Sequence, residues 1–149
     1  MGFAFNCQDA DDSCFRSKNW MMNRMLLLVG MAGIGGCVGS ICRYLAGLYF
    51  SRLMAFAFPF GTFFVNVAGC LLIGLLYGLS ERYQWFNLPW RILLITGFCG
   101  GFTTFSSFAY ENLRLLQSGQ YMSFALYSTG SFVLGLLACF GGILLTKLF

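Results

Sequence analysis

The sequence predicts an all-α integral membrane protein with four spanning helices, the third broken at its centre. Composition carries the class. Hydrophobic residues make up 58% of the 149-residue chain and charged residues 9%, whereas an ordinary soluble domain carries about 25% charged residues. Mean hydropathy is +0.74, so most of the chain has lipid as its solvent. Four apolar stretches reach the roughly 20 residues that cross a hydrocarbon core of about 30 Å. Strands with open edges cannot face lipid, and no stretch alternates as a barrel strand would, so the spans are helices.

The spans fall at about residues 25–49, 61–79, 90–108 and 121–148, and they form one membrane domain over 25–149. Residues 1–24 form a separate compositional region. Asp9, Asp11 and Asp12 lie there with Arg16, Lys18 and Arg24, and the apolar residues show no period. This region reads as a mobile tail, or as a start placed too early, because it lacks the order of a secretory signal. The connections are short. Ser51 to Phe60 ends at Pro59, a residue tolerated at the start of a helix. Glu81 to Pro89 carries Arg82, Tyr83 and Trp85, an interfacial mixture. Asn112 to Gln120 carries Arg114.

Gly35, Gly36, Gly39 and Ser40 give the first span a small-residue face for close helix contact. Arg43 follows on the same helix. It either snorkels to the headgroups or lines an aqueous vestibule and attracts anions. The second span stacks Thr62, Asn66 and Cys70 four apart on one face. A side-chain amide in the bilayer needs a partner, so Asn66 either clamps a neighbouring helix or faces a cavity. The fourth span repeats the spacing with Tyr127, Ser131 and Gly135.

The third span is the least ordinary. From Gly97 it reads Gly-Phe-Cys-Gly-Gly-Phe-Thr-Thr-Phe-Ser-Ser-Phe, to Phe108. Glycine costs about 1 kcal/mol per residue in a helix relative to alanine, and Ser and Thr compete for backbone hydrogen bonds. A helix break near Gly100–Thr103 is expected. Carbonyls freed at membrane depth must be buried in protein or must coordinate an ion such as a small cation. The alternative is that these glycines serve only close packing. Phe105 and Phe108 lie three apart on one face. They either face lipid or border a polar track, where positive ring edges contact an anion.

Other functions are excluded by what is missing. The formal charge of +4 comes from scattered basic residues, so no polyanion-binding patch forms and no nucleic-acid partner is expected. Five of the seven cysteines (Cys37, Cys42, Cys70, Cys99 and Cys139) lie in spans, where a thiol acts as a small apolar residue. With no His, no paired carboxylates and no nucleotide-binding loop, an enzyme is not expected. Proton-coupled pumps and cation exporters need a membrane-embedded acid, yet within the spans no Asp or Glu appears until Glu111, just past the end of the third. Neutral hydroxyl and amide donors with ring edges suit a small, strongly hydrogen-bonding anion.

Basic residues set topology. With an even number of spans, Arg24, Arg82, Arg91 and Lys147 share one end. The other has Arg52, Arg114 and, if it lies near its span's end, Arg43. Four against three is almost no bias, which predicts insertion in both orientations.

Gly35-Gly-Cys-Val-Gly-Ser-Ile-Cys-Arg43-Tyr44, Gly61-Thr-Phe-Phe-Val-Asn66-Val-Ala-Gly69 and Gly97 to Phe108 with Glu111 resemble the signature segments of the Fluc (CrcB) fluoride channel family. The resemblance runs from about Met25 to the C-terminus. It implies a multi-pass protein of the bacterial inner membrane that exports F⁻ passively, built as an antiparallel, dual-topology homodimer. It also implies a structural Na⁺ at the dimer centre, held by the main-chain carbonyls of Gly100 and Thr103, and no organic cofactor. Asn66, Phe105 and Phe108 are then pore residues, with Thr62, Thr104, Ser107 and Ser131 as further candidates for the polar track. Glu111 and Arg43 match pore-entrance positions, and Gly35, Gly39 and Gly69 match helix-packing positions. The fourth span departs from the pattern by having no second hydroxyl near Gly135. Two rival readings are a small dual-topology exporter of organic cations, which would need an acid in the first span, and a non-transporting membrane scaffold.

Overall fold

A computed structural model describes residues 7–53 and 58–148, including the side chains of 18–52 and 58–148. The elements in order are α1 (Cys7–Leu53), α2 (Phe60–Arg82), α3 (Leu88–Arg91), a π-helical stretch (Ile92–Cys99), α4 (Gly100–Phe102), α5 (Phe105–Gln117) and α6 (Tyr121–Leu148). Four candidate membrane spans result: Lys18–Arg52, Phe60–Arg82, Leu88–Gln117 and Tyr121–Leu148. At 1.5 Å per residue, α2 is about 34 Å long and matches a hydrocarbon core of roughly 30 Å. The chain is a multi-pass membrane protein.

Three expected boundaries move. Helix α1 starts at Cys7 and not near Met25, because extending an existing helix costs far less than nucleating one. Residues 1–6, the rest of the expected tail, lie outside the described residues. The connection expected over Asn112–Gln120 is helical through Gln117. There the helix ends on Gly119, whose φ of +73° suits a residue without a side chain. Gly119 N donates to Leu116 O at 3.1 Å and Gln120 N to Leu115 O at 2.9 Å, the paired bonds that satisfy the last carbonyls of a helix. Finally, α1 runs on through Leu53, which shortens the connection expected from Ser51.

Lipid sets the packing logic. Side chains such as Leu26, Ile34, Phe132 and Leu137 stay exposed around the bundle. Helices held without a hydrophobic difference between core and surroundings must instead come close and fill space. Helix α1 lies mainly against the first half of the third span, and α2 mainly against α6. Glycine permits both approaches. A Cβ on Gly35 or Gly39 would overlap the backbone carbonyl of Leu93 or Phe98, and one on Gly69 would overlap the Thr103 side chain. Across the α2–α6 seam, a Cβ on Gly142 would stand 2.5 Å from Leu71 O and 2.7 Å from Leu75 N.

The seam between α1 and the third span leaves no room for a side chain at Gly39. Gly39→Ala should destabilise the folded protein by about 1–3 kcal/mol, the cost of overpacking a tight contact. Gly30→Ala, where an added Cβ meets nothing within 4 Å, should leave it as stable or raise stability by up to about 1 kcal/mol, the helix cost of a glycine relative to alanine. Thermal unfolding in detergent reads the difference, and equal midpoints for the two variants would contradict it.

Candidate functional site

The third span breaks at Thr103 and Thr104, at the downstream edge of the expected segment. Both residues are extended, Thr103 at φ −80°, ψ 156° and Thr104 at φ −148°, ψ 117°. Upstream, the π-helical Ile92–Cys99 already departs from α geometry. Each backbone polar group released here needs a partner. Thr103 N and Oγ1 both donate to Cys99 O, at 2.9 and 3.0 Å. Thr104 Oγ1 caps α5 by accepting from Ser107 N at 3.3 Å.

Asn66 of α2 takes the main chain of Thr104 with both ends of its amide. Its Oδ1 accepts from Thr104 N at 2.8 Å, and its Nδ2 donates to Thr104 O at 3.1 Å. The amide therefore clamps the break and keeps one N–H in reserve. Gly101 O is satisfied from α1, by Ser40 Oγ at 3.4 Å and Arg43 Nε at 3.1 Å. Arg43 is thus tied to the break, ten residues before Leu53, and does not belong to the charge count at the membrane end.

Among the described residues, no bond from outside the helices and no side chain reaches the carbonyls of Gly100, Phe102 and Thr103. Gly100 is exposed, and a Cβ added to it would meet nothing within 4 Å. Neutral main-chain oxygens on an open face are the donors a hard cation takes, although such ions collect about six or more. The residues fit Na⁺ in kind, and one chain supplies only part of a shell. No cluster of three or more His, Cys, Asp or Glu that could hold a metal is found among the described residues.

Phe105 and Phe108 follow directly. Their ring centroids are 5.9 Å apart, and Phe108 lies 5.1 Å from the Tyr127 ring. Phe108 is half-buried. Phe105 is 80% exposed, so its own chain leaves that ring uncovered.

Beyond the rings lies a polar triad from three elements. Glu111 of α5 accepts from Thr62 Oγ1 of α2 and from the Tyr127 hydroxyl of α6, each at 2.7 Å. Tyr127 is fully buried. Ser131, one turn further along α6, has a buried Oγ without a hydrogen-bond partner, a group whose desolvation goes uncompensated unless something binds it. Where a second hydroxyl was expected near Gly135, Cys70 Sγ stands 3.4 Å from the place a Cβ would occupy.

Around these groups run three adjoining cavities. One of ≈ 350 Å³ is lined by Ser40, Arg43, Thr62, Thr104 and Ser107. A second, of ≈ 400 Å³, shares Thr62 with it and reaches Glu111. The third, of ≈ 580 Å³, shares Glu111 and opens past Arg114, Gln117 and Gln120. The sequence reading missed Asn112 and Ser128. Ser128 Oγ donates to Asn112 Oδ1 at 2.6 Å, and Asn112 Nδ2 donates to Phe108 O at 2.8 Å. The available signal was Asn112 four residues after Phe108, legible only if α5 continues beyond Phe108.

Residues 30–143 match the family described as CrcB-like protein, Camphor Resistance (CrcB). The chain is also similar to the fluoride-specific ion channel FluC of Azobacteroides pseudotrichonymphae, with 43% identity over 84% of this chain and 100% of that protein. The FluC proteins of Leptospira interrogans (strain Fiocruz L1-130) and Phocaeicola vulgatus are 42% and 47% identical, over 85% and 76% of this chain and 98% and 93% of their own. The break, its amide clamp and the triad therefore sit in a chain that belongs to the CrcB family.

Proposed function

We propose that this protein is a fluoride-selective channel that lets F⁻ leave the cytoplasm down its electrochemical gradient. The observation that carries the reading is the broken third span, where neutral donors and ring edges gather and no acid intervenes before Glu111. The similarity to proteins named fluoride-specific ion channels supports the choice of anion. A small anion shedding water needs donors at close spacing. Ser107, Thr104 and Ser131 hydroxyls, the spare Asn66 N–H and the Phe105 and Phe108 edges supply them without a fixed countercharge. Such contacts are weak enough to release the ion.

The functional unit of this proposal is an antiparallel homodimer, the two copies inserted in opposite orientations. Four spans of this size enclose no path alone, and Phe105 and Gly100 lie open on one chain. A second copy would cover the ring and bring a second pair of Gly100 and Thr103 carbonyls to the first. Those carbonyls would hold a structural Na⁺, whose chemistry is to neutralise oxygens left without donors and lock the two broken spans together.

Purified protein in liposomes should pass F⁻ rapidly and without a coupled ion, with little Cl⁻ movement, followed by a fluoride electrode. Efflux no faster than from empty liposomes would end the proposal. Phe105→Ile keeps an apolar side chain and removes the ring edge. It should cut F⁻ flux by roughly tenfold or more, the effect of losing about 1.4 kcal/mol of contact, with the dimer intact by size exclusion. Undiminished flux would assign that ring to packing.

A further inference from the structure

The largest of the three cavities ends at a charge that nothing in the chain uses. Arg114 is exposed on α5 and lines this cavity with Gln117, Ser118 and Gln120. Among the described residues it makes no ion pair or side-chain hydrogen bond. The one acid on the same wall, Glu111, spends one oxygen on Thr62 and the other on Tyr127. A guanidinium with all its donors unspent therefore faces a recess whose carboxylate is already engaged.

We infer that Arg114 with the Gln117 and Gln120 amides forms an anion-collecting mouth, which concentrates the permeant ion at this end of the path before it reaches Thr62. This rests on the fluoride-channel reading and adds a site to it. The cavities give the route: Glu111 joins the mouth to the middle cavity, and Thr62 joins the middle cavity to the one around Ser107. A cation at the mouth of a recess with low-dielectric walls raises the local concentration of anions and their rate of entry. Being solvated, Arg114 binds no ion tightly, so it feeds the path without blocking it.

A charge acting at a distance is screened by salt, whereas a structural contact is not. The test is fluoride current across planar bilayers at fixed F⁻ and Na⁺. Ionic strength is raised from about 0.01 M to about 1 M with an impermeant organic salt, which shrinks the Debye length from roughly 30 Å to roughly 3 Å. At low ionic strength Arg114→Gln should lower the current about two- to fivefold, within the modest reach of one exposed charge. The deficit should vanish at high ionic strength, and Arg114→Lys should keep most of the current. Arg52→Gln removes a charge at the same membrane end but outside these cavities and should lower the current less than Arg114→Gln does. An Arg114→Gln deficit that persists at high salt, no deficit at all, or an equal deficit in Arg52→Gln would each overturn the inference while wild-type current upholds the channel. Absence of wild-type current would overturn both.

Discussion

A peptide group in the middle of a bilayer has no water to turn to, and every notable feature of this chain follows from how one broken helix meets that constraint. Two extended residues, Thr103 and Thr104, interrupt the ladder of the third span. Lost backbone bonds at this depth cost several kcal/mol each unless replaced. The replacements come from three directions: the Thr103 hydroxyl locally, the Asn66 amide from α2, and the Ser40 and Arg43 donors from α1. Removing the Asn66 amide would leave both the N–H and the carbonyl of Thr104 without that partner, so the break depends on its neighbours as much as on its own sequence.

The glycine faces make those neighbours reachable. Ser40 and Arg43 reach Gly101 because α1 rides on the third span with almost no side chain between the backbones, at Gly35 against Leu93 and at Gly39 against Phe98. Gly69 likewise clears room for Thr103, one turn along α2 from Asn66. Close packing and the helix break were competing explanations of the glycine-rich run, and the structure uses both. The first brings polar side chains within range, and the second gives them something to bond. The Thr103 carbonyl, outside any helix, receives no donor among the described residues.

Much of this was legible because membrane solvation makes composition decisive. Span number and approximate position follow from apolar length alone, and the break follows from glycines beside hydroxyls. Asn66 stood out as an amide with no water to satisfy it. Less legible was anything set by register between helices. The sequence left Arg43 either snorkelling to the headgroups or lining a vestibule, and only the packing of α1 on the third span ties it to Gly101. Helix α5 was expected to stop near Phe108, because polar residues such as Glu111 and Asn112 read as a loop. They are instead turned inward, where Tyr127 and Ser128 of α6 meet them. The start of α1 was missed for a different reason: a helix already paid for by a span continues into residues that would not nucleate one.

The site stands or falls with the conformation and bonding of two threonines and a glycine. Solid-state NMR of protein reconstituted in lipid, with ¹³C-labelled glycine and threonine, reads both directly. Extended-backbone ¹³C shifts are expected at Thr103 and Thr104, with carbonyl signals of Gly100 and Thr103 that move when Na⁺ is exchanged for a bulky organic cation. Helical shifts at both threonines, with carbonyl signals indifferent to the cation, would contradict this.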